Sequence, residues 1–207
     1  MRRDSFASNF EGKHEMSAHA ASTNTGISNA KLGTWSFLAS EVMLFGGLIS
    51  AYIILRSGSS QFFVPPRAMM GVPLATLNTF VLISSSVTMV LAIAAIQVGN
   101  VQKLKRFLLC TIGGGGIFLM IKAYEYNHKW HEGITISGSL FGSFYYTLTG
   151  LHMVHVVGGM ALLSYIYWQA SRGDFTAASH DRVECTGLYW HLVDLVWVLL
   201  FPILYLL

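Results

Sequence analysis

The stretch GLYWHLVDLVWVLLFPILYLL, residues 187–207, decides the fold, because its only ionic side chains are those of His191 and Asp194. A run of about 20 apolar residues is long enough to cross a bilayer. An ionised aspartate near the centre of a spanning helix costs roughly 2.5–3.5 kcal/mol on insertion scales, and it is usually tolerated only where it faces protein. This stretch therefore predicts a membrane helix with polar chemistry or polar packing inside it.

The composition of the whole chain agrees with a membrane protein. Of the 207 residues, 53% are hydrophobic and 11% are charged, whereas a soluble domain averages about 25% charged residues. The net charge of +3 is small and is spread along the loops, so it indicates no nucleic-acid partner. Cys110 and Cys185 lie in separate apolar segments, where we expect small packing residues rather than a disulfide.

Four further apolar segments precede residues 185–207, and together they predict an all-α bundle of five transmembrane helices. Residues 1–30 are polar, lack the apolar core of a signal peptide and are expected to form a cytoplasmic tail. Residues 31–207 would form the membrane domain. Long apolar runs without a period of two disfavour a β-barrel. The predicted spans are about 32–55, 72–99, 107–126, 138–168 and 185–207.

The distribution of basic residues predicts the orientation. With the N-terminus inside, nine lysines and arginines lie on the inner side and four, namely Arg56, Arg67, Lys122 and Lys129, lie on the outer side. Cytoplasmic loops carry the excess of Lys and Arg. We therefore expect the N-terminus inside and the C-terminus outside.

Four ionisable residues inside the predicted spans form the candidate site. Glu41, His155, His191 and Asp194 fall at similar depth in the inner half of the membrane, given a rise of 1.5 Å per helical residue. We predict a buried polar cluster that links the first, fourth and fifth spans. It could handle protons, or it could be a set of interhelical hydrogen bonds that fixes the packing.

Metal binding by these residues finds less support in the sequence. Di-iron bundles use Glu-x-x-His motifs on paired helices, and that motif is absent here. His152 and His155, spaced i, i+3, share a helix face, so a haem held by two histidines from facing helices stays an alternative.

Other polar and small residues in the spans are expected to serve packing. Lys122 can extend to the membrane interface and pair with Glu125, and the hydroxyls of the second span can bond to the backbone or to a neighbouring helix. The four glycines at 113–116, together with Gly46-Gly47 and Gly158-Gly159, let helices approach closely.

Taken together, the spans resemble subunit III of the haem–copper terminal oxidases, with one motif in each span and all motifs in order. The polar residues of these motifs are Glu41, Asn78 and Thr79, Glu125, His152 and His155, and His191 and Asp194. The motifs are FLASEVMLFGGLISAY (37–52), LNTFVLISSSVTMVLA (77–92), IKAYEY (121–126), GSLFGSFYYTLTGLHMVHVVGG (138–159) and GLYWHLVDLVWVLLF (187–201).

This resemblance implies a non-catalytic subunit of a bacterial inner-membrane oxidase that reduces O2 to water and pumps protons. Such a subunit carries no haem, copper or other metal; these belong to the partner catalytic subunits. It binds beside catalytic subunit I, holds phospholipid between its helices and supports proton uptake. Glu41 matches the buried carboxylate of the family. The usual long form has two more spans at its start, so the lipid cleft of that form is in question here.

The electron donor and two other function classes stay open at this point. Quinol-oxidising relatives often carry Asp where Glu41 stands, which favours cytochrome c over a quinol as donor. A small proton-coupled transporter would use Glu41 and Asp194 as a relay, but the chain lacks the internal repeat typical of such transporters. A haem-bearing membrane anchor would show a Soret band.

Overall fold

The structure is a computed structural model that describes residues 29–58, 64, 70–176 and 179–207. In these residues, five helices are long and apolar enough to cross a membrane, which confirms the predicted all-α bundle. They are α1 (Asn29–Gly58), α2 (Val72–Gln97), α3 (Val101–His131), α4 (Leu140–Arg172) and α5 (Asp181–Phe201). A π-helical turn, Pro202–Leu206, continues α5. Proline has no backbone N–H, which accounts for the change of helix type at residue 202.

Most helices are longer than the apolar runs that predicted them. The largest difference is in α3, which starts six residues before and ends five residues after the predicted span 107–126. Lysine and arginine are good helix formers, so the helix begins before the apolar run and includes Lys103, Lys105 and Arg106. Residues 1–28 of the predicted tail lie outside the described residues, and α1 already includes Asn29 and Ala30.

Turn residues set the ends of these helices. Gly99 has a left-handed φ of +76° between α2 and α3, and the side chain of Asn100 accepts a hydrogen bond from the backbone N–H of Lys103 at 3.0 Å. Ser139 caps α4 in the same way, and Gly173 ends it with a φ of +84°. These are the standard signals for starting and stopping a helix. Gly99 with Asn100, and Gly173, therefore mark helix boundaries.

Helix α5 lies at the centre of the bundle and α1 at its edge. Helix α5 packs against α1, α2 and α4, while α2 and α3 form the most extensive helix pair. In the most apolar window of each helix, 44% of the α5 residues are buried, against 17% of the α1 residues. Helix α1 thus presents most of its surface to its surroundings rather than to the rest of the chain.

Two glycines form a slot for the indole of Trp190. A Cβ added to Gly115 or to Gly159 would lie 2.8 Å from the Trp190 ring, and one added to Gly114 would lie 2.8 Å from the Cβ of Ser85. Real Cβ atoms do not approach so closely, so glycine is required for this packing. A Cβ at Gly113 would meet nothing within 4 Å. The predicted packing role is therefore confirmed at three positions.

The loop between α2 and α3 and the start of α5 lie at the same end of the bundle. In the predicted orientation this is the inner end, and the end that holds the last turns of α3 and the π-helical turn is the outer end. The orientation itself stays a prediction from the basic residues.

Candidate functional site

Glu41 on α1 and His155 on α4 form a polar pair within the helix bundle. The Nε2 atom of His155 lies 2.8 Å from Oε2 of Glu41, and their side chains are 16% and 12% exposed. The angles of this contact depart from those of a well-aligned hydrogen bond. The edge of Phe45 packs on the imidazole, with ring centroids 5.3 Å apart. The pair joins the peripheral helix α1 to the rest of the bundle through a polar contact in apolar surroundings.

The second ring nitrogen of His155 fixes where its hydrogens can be. Nδ1 lies 2.8 Å from the carbonyl oxygen of Leu151, and because a carbonyl only accepts, Nδ1 must carry the hydrogen. A bare Nε2 facing a bare carboxylate at 2.8 Å would be repulsive. A proton placed on either partner would make this contact favourable, so the pair can take two forms that differ only in the position of that proton.

His191 and Asp194 lie on a different side of α5. Nδ1 of His191 is 2.6 Å from the hydroxyl of Ser86 on α2. Asp194 is 5% exposed, and neither of its carboxylate oxygens has a well-aligned hydrogen bond from the described residues. The polar side chain beside it is again Ser86. Buried polar groups are normally hydrogen-bonded, so Asp194 stands out in the middle of a spanning helix.

The structure thus separates Glu41 and His155 from His191 and Asp194, instead of joining all four in the predicted cluster. Within the described residues, no hydrogen bond or ion pair links Glu41 and His155 to His191 and Asp194. The face of α5 toward Glu41 and His155 carries Tyr189, whose hydroxyl donates to the carbonyl of His155 at 3.1 Å. His191 follows Tyr189 by two residues, which corresponds to a rotation of about 200° around the helix axis. Its side chain therefore points to α2. Depth alone could not reveal this difference.

His152 and His155 also contact different neighbours. His152 is fully buried, stacks on Trp197 at a centroid distance of 5.2 Å and meets the edge of Phe118. Neither of its ring nitrogens has a hydrogen-bond partner in the part of the chain that the structure describes. Both nitrogens of His155 are engaged, so it is not free to serve as a haem ligand in this arrangement.

The motif residues of α2 hold neighbouring helices. The amide of Asn78 donates to the carbonyl of Phe118 on α3 at 3.4 Å. The hydroxyl of Thr79 donates to the carbonyl of Ala75 and accepts from the indole N–H of Trp197 at 3.0 Å. These contacts match the predicted use of the hydroxyls of the second span.

The strongest polar network lies near the outer end of α3, around Glu125. Its carboxylate accepts from Nζ of Lys122 at 3.0 Å and from the hydroxyls of Tyr145 and Tyr205 at 2.9 and 2.7 Å. Nζ of Lys129 lies 3.7 Å away. Lys122 is fully buried, so the prediction that it extends to the membrane interface is wrong, although its pairing with Glu125 is present.

Four aromatic rings surround the ammonium group of Lys122. Its Nζ lies 5.0–5.4 Å from the ring centroids of Tyr126, Tyr145, Trp197 and Tyr205. Cations are attracted to the faces of aromatic rings at such distances. Hydrogen bonds, a carboxylate and these rings together replace the water that a lysine normally has.

Sequence reasoning could have found this network through the helical period. Lys122, Glu125 and Lys129 follow Phe118 at intervals of three or four residues, which places them on the buried face of α3. The helical period thus predicts a buried position for these three side chains, whereas their charge alone predicts a position at the membrane interface.

A cavity of about 440 Å³ lies between α1, α4 and α5 near the inner end. Its walls include Phe37, Leu162 and Ile166, and Arg182 is its only charged wall residue. Nearby, Lys31 on α1 makes ion pairs with Asp181 and Glu184 on α5 at 3.1 and 2.9 Å. The described residues contain no group of three or more His, Cys, Asp or Glu that could hold a metal ion.

Comparisons with known proteins agree with the motif pattern. The family model for cytochrome c oxidase subunit III matches residues 3–207. Cytochrome c oxidase subunit 3 of Corynebacterium diphtheriae is 36% identical, covering 84% of this chain and 86% of the relative. The proteins of the same name from Thermostichus vulcanus and Bacillus subtilis are 34% and 35% identical, covering 85% and 86% of this chain and 86% of each relative. This multi-pass membrane protein belongs to the cytochrome c oxidase subunit III family and is a subunit of a haem–copper oxidase.

Proposed function

We propose that this chain is the non-catalytic subunit III of a proton-pumping terminal oxidase in a bacterial plasma membrane. It lies beside catalytic subunit I and stabilises it, and the haem and copper that reduce O2 to water are in partner subunits. The bacterial relatives support this location, and their names support cytochrome c as the electron donor.

The Glu41–His155 pair carries the proposal that the subunit supports proton uptake. It is polar and partly buried, and its geometry suits a proton on either partner. Proton-handling groups in membranes are carboxylates and histidines of this kind. The pair would act as a local proton store beside the catalytic subunit, so that uptake keeps pace with sustained turnover.

The cavity at the inner end supports the binding of a phospholipid. Its apolar walls fit acyl chains, and Arg182 can pair with a phosphate group at the level of the headgroups. A lipid there would fill the space between the peripheral helix α1 and the rest of the bundle.

The test is sustained turnover of the intact oxidase complex carrying Glu41→Gln. We expect normal assembly and a normal initial rate, followed by a severalfold earlier decline of activity, because the amide cannot exchange a proton with His155. Asp174→Asn, which alters an exposed carboxylate in the loop after α4, is the matched control and should behave as wild type. Unchanged activity of Glu41→Gln over many turnovers would refute the proton-store role.

A further inference from the structure

A second groove runs along the outside of the bundle between α1 and α5. It encloses about 500 Å³ and is lined on one side by Trp35, Ala39 and Met43 and on the other by His191 and Leu195. Met43 is 79% exposed and Leu195 is 55% exposed. His191 is the only ionisable residue in the lining, and it lies near the middle of α5.

The polar groups at the base of this groove have unused hydrogen-bonding capacity. Nδ1 of His191 is engaged by Ser86, whereas Nε2 has no partner among the described residues. One turn further along α5 is Asp194, which is 95% buried and has no well-aligned hydrogen bond from the described residues. Asp194 is the fourteenth of the 26 residues of this span, so these groups lie near the middle of the helix, far from both of its ends.

The hydroxyl of Ser86 lies beside both residues. Either Ser86 donates its hydrogen to Nδ1 of His191, or Nδ1 carries the hydrogen of the 2.6 Å contact and donates it to Ser86. In the first form the Nε2 atom carries a hydrogen and is a free donor at the groove, and in the second it is a free acceptor. Lipid tails can satisfy neither form, while a polar side chain of another protein helix can.

The α1 wall favours the close approach of a helix. Ala39 and Gly46 are seven residues apart and lie on one stripe of α1, and a Cβ at Gly46 would meet nothing within 4 Å. Small residues at such positions let transmembrane helices pack tightly. The sparse packing of α1 in this chain leaves the same stripe open.

We propose that the α1/α5 groove receives a transmembrane helix of a partner oxidase subunit that presents a hydrogen-bonding side chain to His191. This side chain carries a hydroxyl or a carboxamide group, each of which can donate and accept. This inference rests on the proposed function, since it takes the partner from the oxidase complex, and it adds the face and the chemistry of the contact.

The test places a photoreactive benzoylphenylalanine at Leu195 in the groove or at Met120, which is 67% exposed on α3. Oxidase complexes are captured through a tag on this chain, irradiated and analysed by mass spectrometry. We expect a crosslink to an oxidase subunit from Leu195 and little or none from Met120. His191→Leu in the Leu195 background should reduce the yield severalfold, and His191→Gln, which keeps a donor and an acceptor, should restore much of it.

Three outcomes would overturn the inference: a lipid adduct as the main product at Leu195, equal protein crosslinks from both positions, or a yield that does not respond to His191→Leu. Failure of the proposed function looks different, because the tagged chain would then capture no oxidase subunit even without irradiation.

Discussion

The buried network around Glu125 gives the sharpest prediction for stability. Glu125→Gln keeps the shape of the side chain and removes its charge, which leaves the buried ammonium of Lys122 without its counter-ion. Breaking a buried ion pair by neutralising one partner costs about 3–5 kcal/mol, because the remaining charge is uncompensated. Three hydrogen bonds to the carboxylate, from Lys122, Tyr145 and Tyr205, are weakened at the same time.

The assay is thermal loss of this subunit from the purified oxidase complex in detergent, read on native gels. For a chain of about this size, 1 kcal/mol shifts the midpoint of unfolding by about 2–4 °C, so we expect Glu125→Gln to lower it by about 6–20 °C. Glu132→Gln is the matched control on the same helix end. Its side chain is 25% exposed and pairs with an exposed His128, so its loss should cost at most about 1 kcal/mol.

A second variant separates charge from packing. Adding Lys122→Met to Glu125→Gln removes one of the two buried ammonium groups that lie near Glu125, while Lys129 remains. Apolar replacement of a buried ion pair is often neutral or stabilising, so the double variant should recover part of the lost midpoint. A midpoint for Glu125→Gln within about 2 °C of wild type, or no recovery in the double variant, would refute the reasoning.

Two further predictions concern packing and the inner-end ion pairs. Gly115→Ala should lower the yield of assembled complex, because its Cβ would lie 2.8 Å from the Trp190 ring. Gly113→Ala should be tolerated, because its Cβ would meet nothing within 4 Å. Equal yields of the two variants would contradict the claim that Trp190 needs a glycine at residue 115. Lys31→Ala should promote loss of the subunit at low salt but have little effect at high salt, since exposed ion pairs are screened. The control Lys103→Ala should not promote loss of the subunit at either salt concentration. A salt-independent effect of Lys31→Ala would argue against an ionic role.

The five helices could be predicted because each contains an apolar run long enough to span a membrane. The motif residues also indicated the family, since each span carries one motif and the motifs follow in order. The helix ends were less predictable. Charged residues such as Lys103, Lys105 and Arg106 belong to the helix although they lie outside the apolar run, and hydropathy alone does not distinguish them from loop residues.

The candidate site was predictable in depth but not in direction. Residue spacing placed Glu41, His155, His191 and Asp194 at similar heights, and in the structure only the first two contact each other. How α5 is rotated relative to its neighbours depends on packing such as that of Trp190 in its glycine slot. That rotation directs His191 to Ser86, and no local sequence pattern specifies it.

The central claim is that this chain works as a subunit of a haem–copper oxidase whose redox centres lie in other chains. The most direct measurement is capture of the tagged chain from native membranes in mild detergent, with mass spectrometry of the co-purifying proteins and an optical spectrum of the captured material. We expect the catalytic oxidase subunit in stoichiometric amount, with the haem absorbance following that subunit. Recovery of the chain alone, or with haem bound to the isolated chain, would contradict the claim.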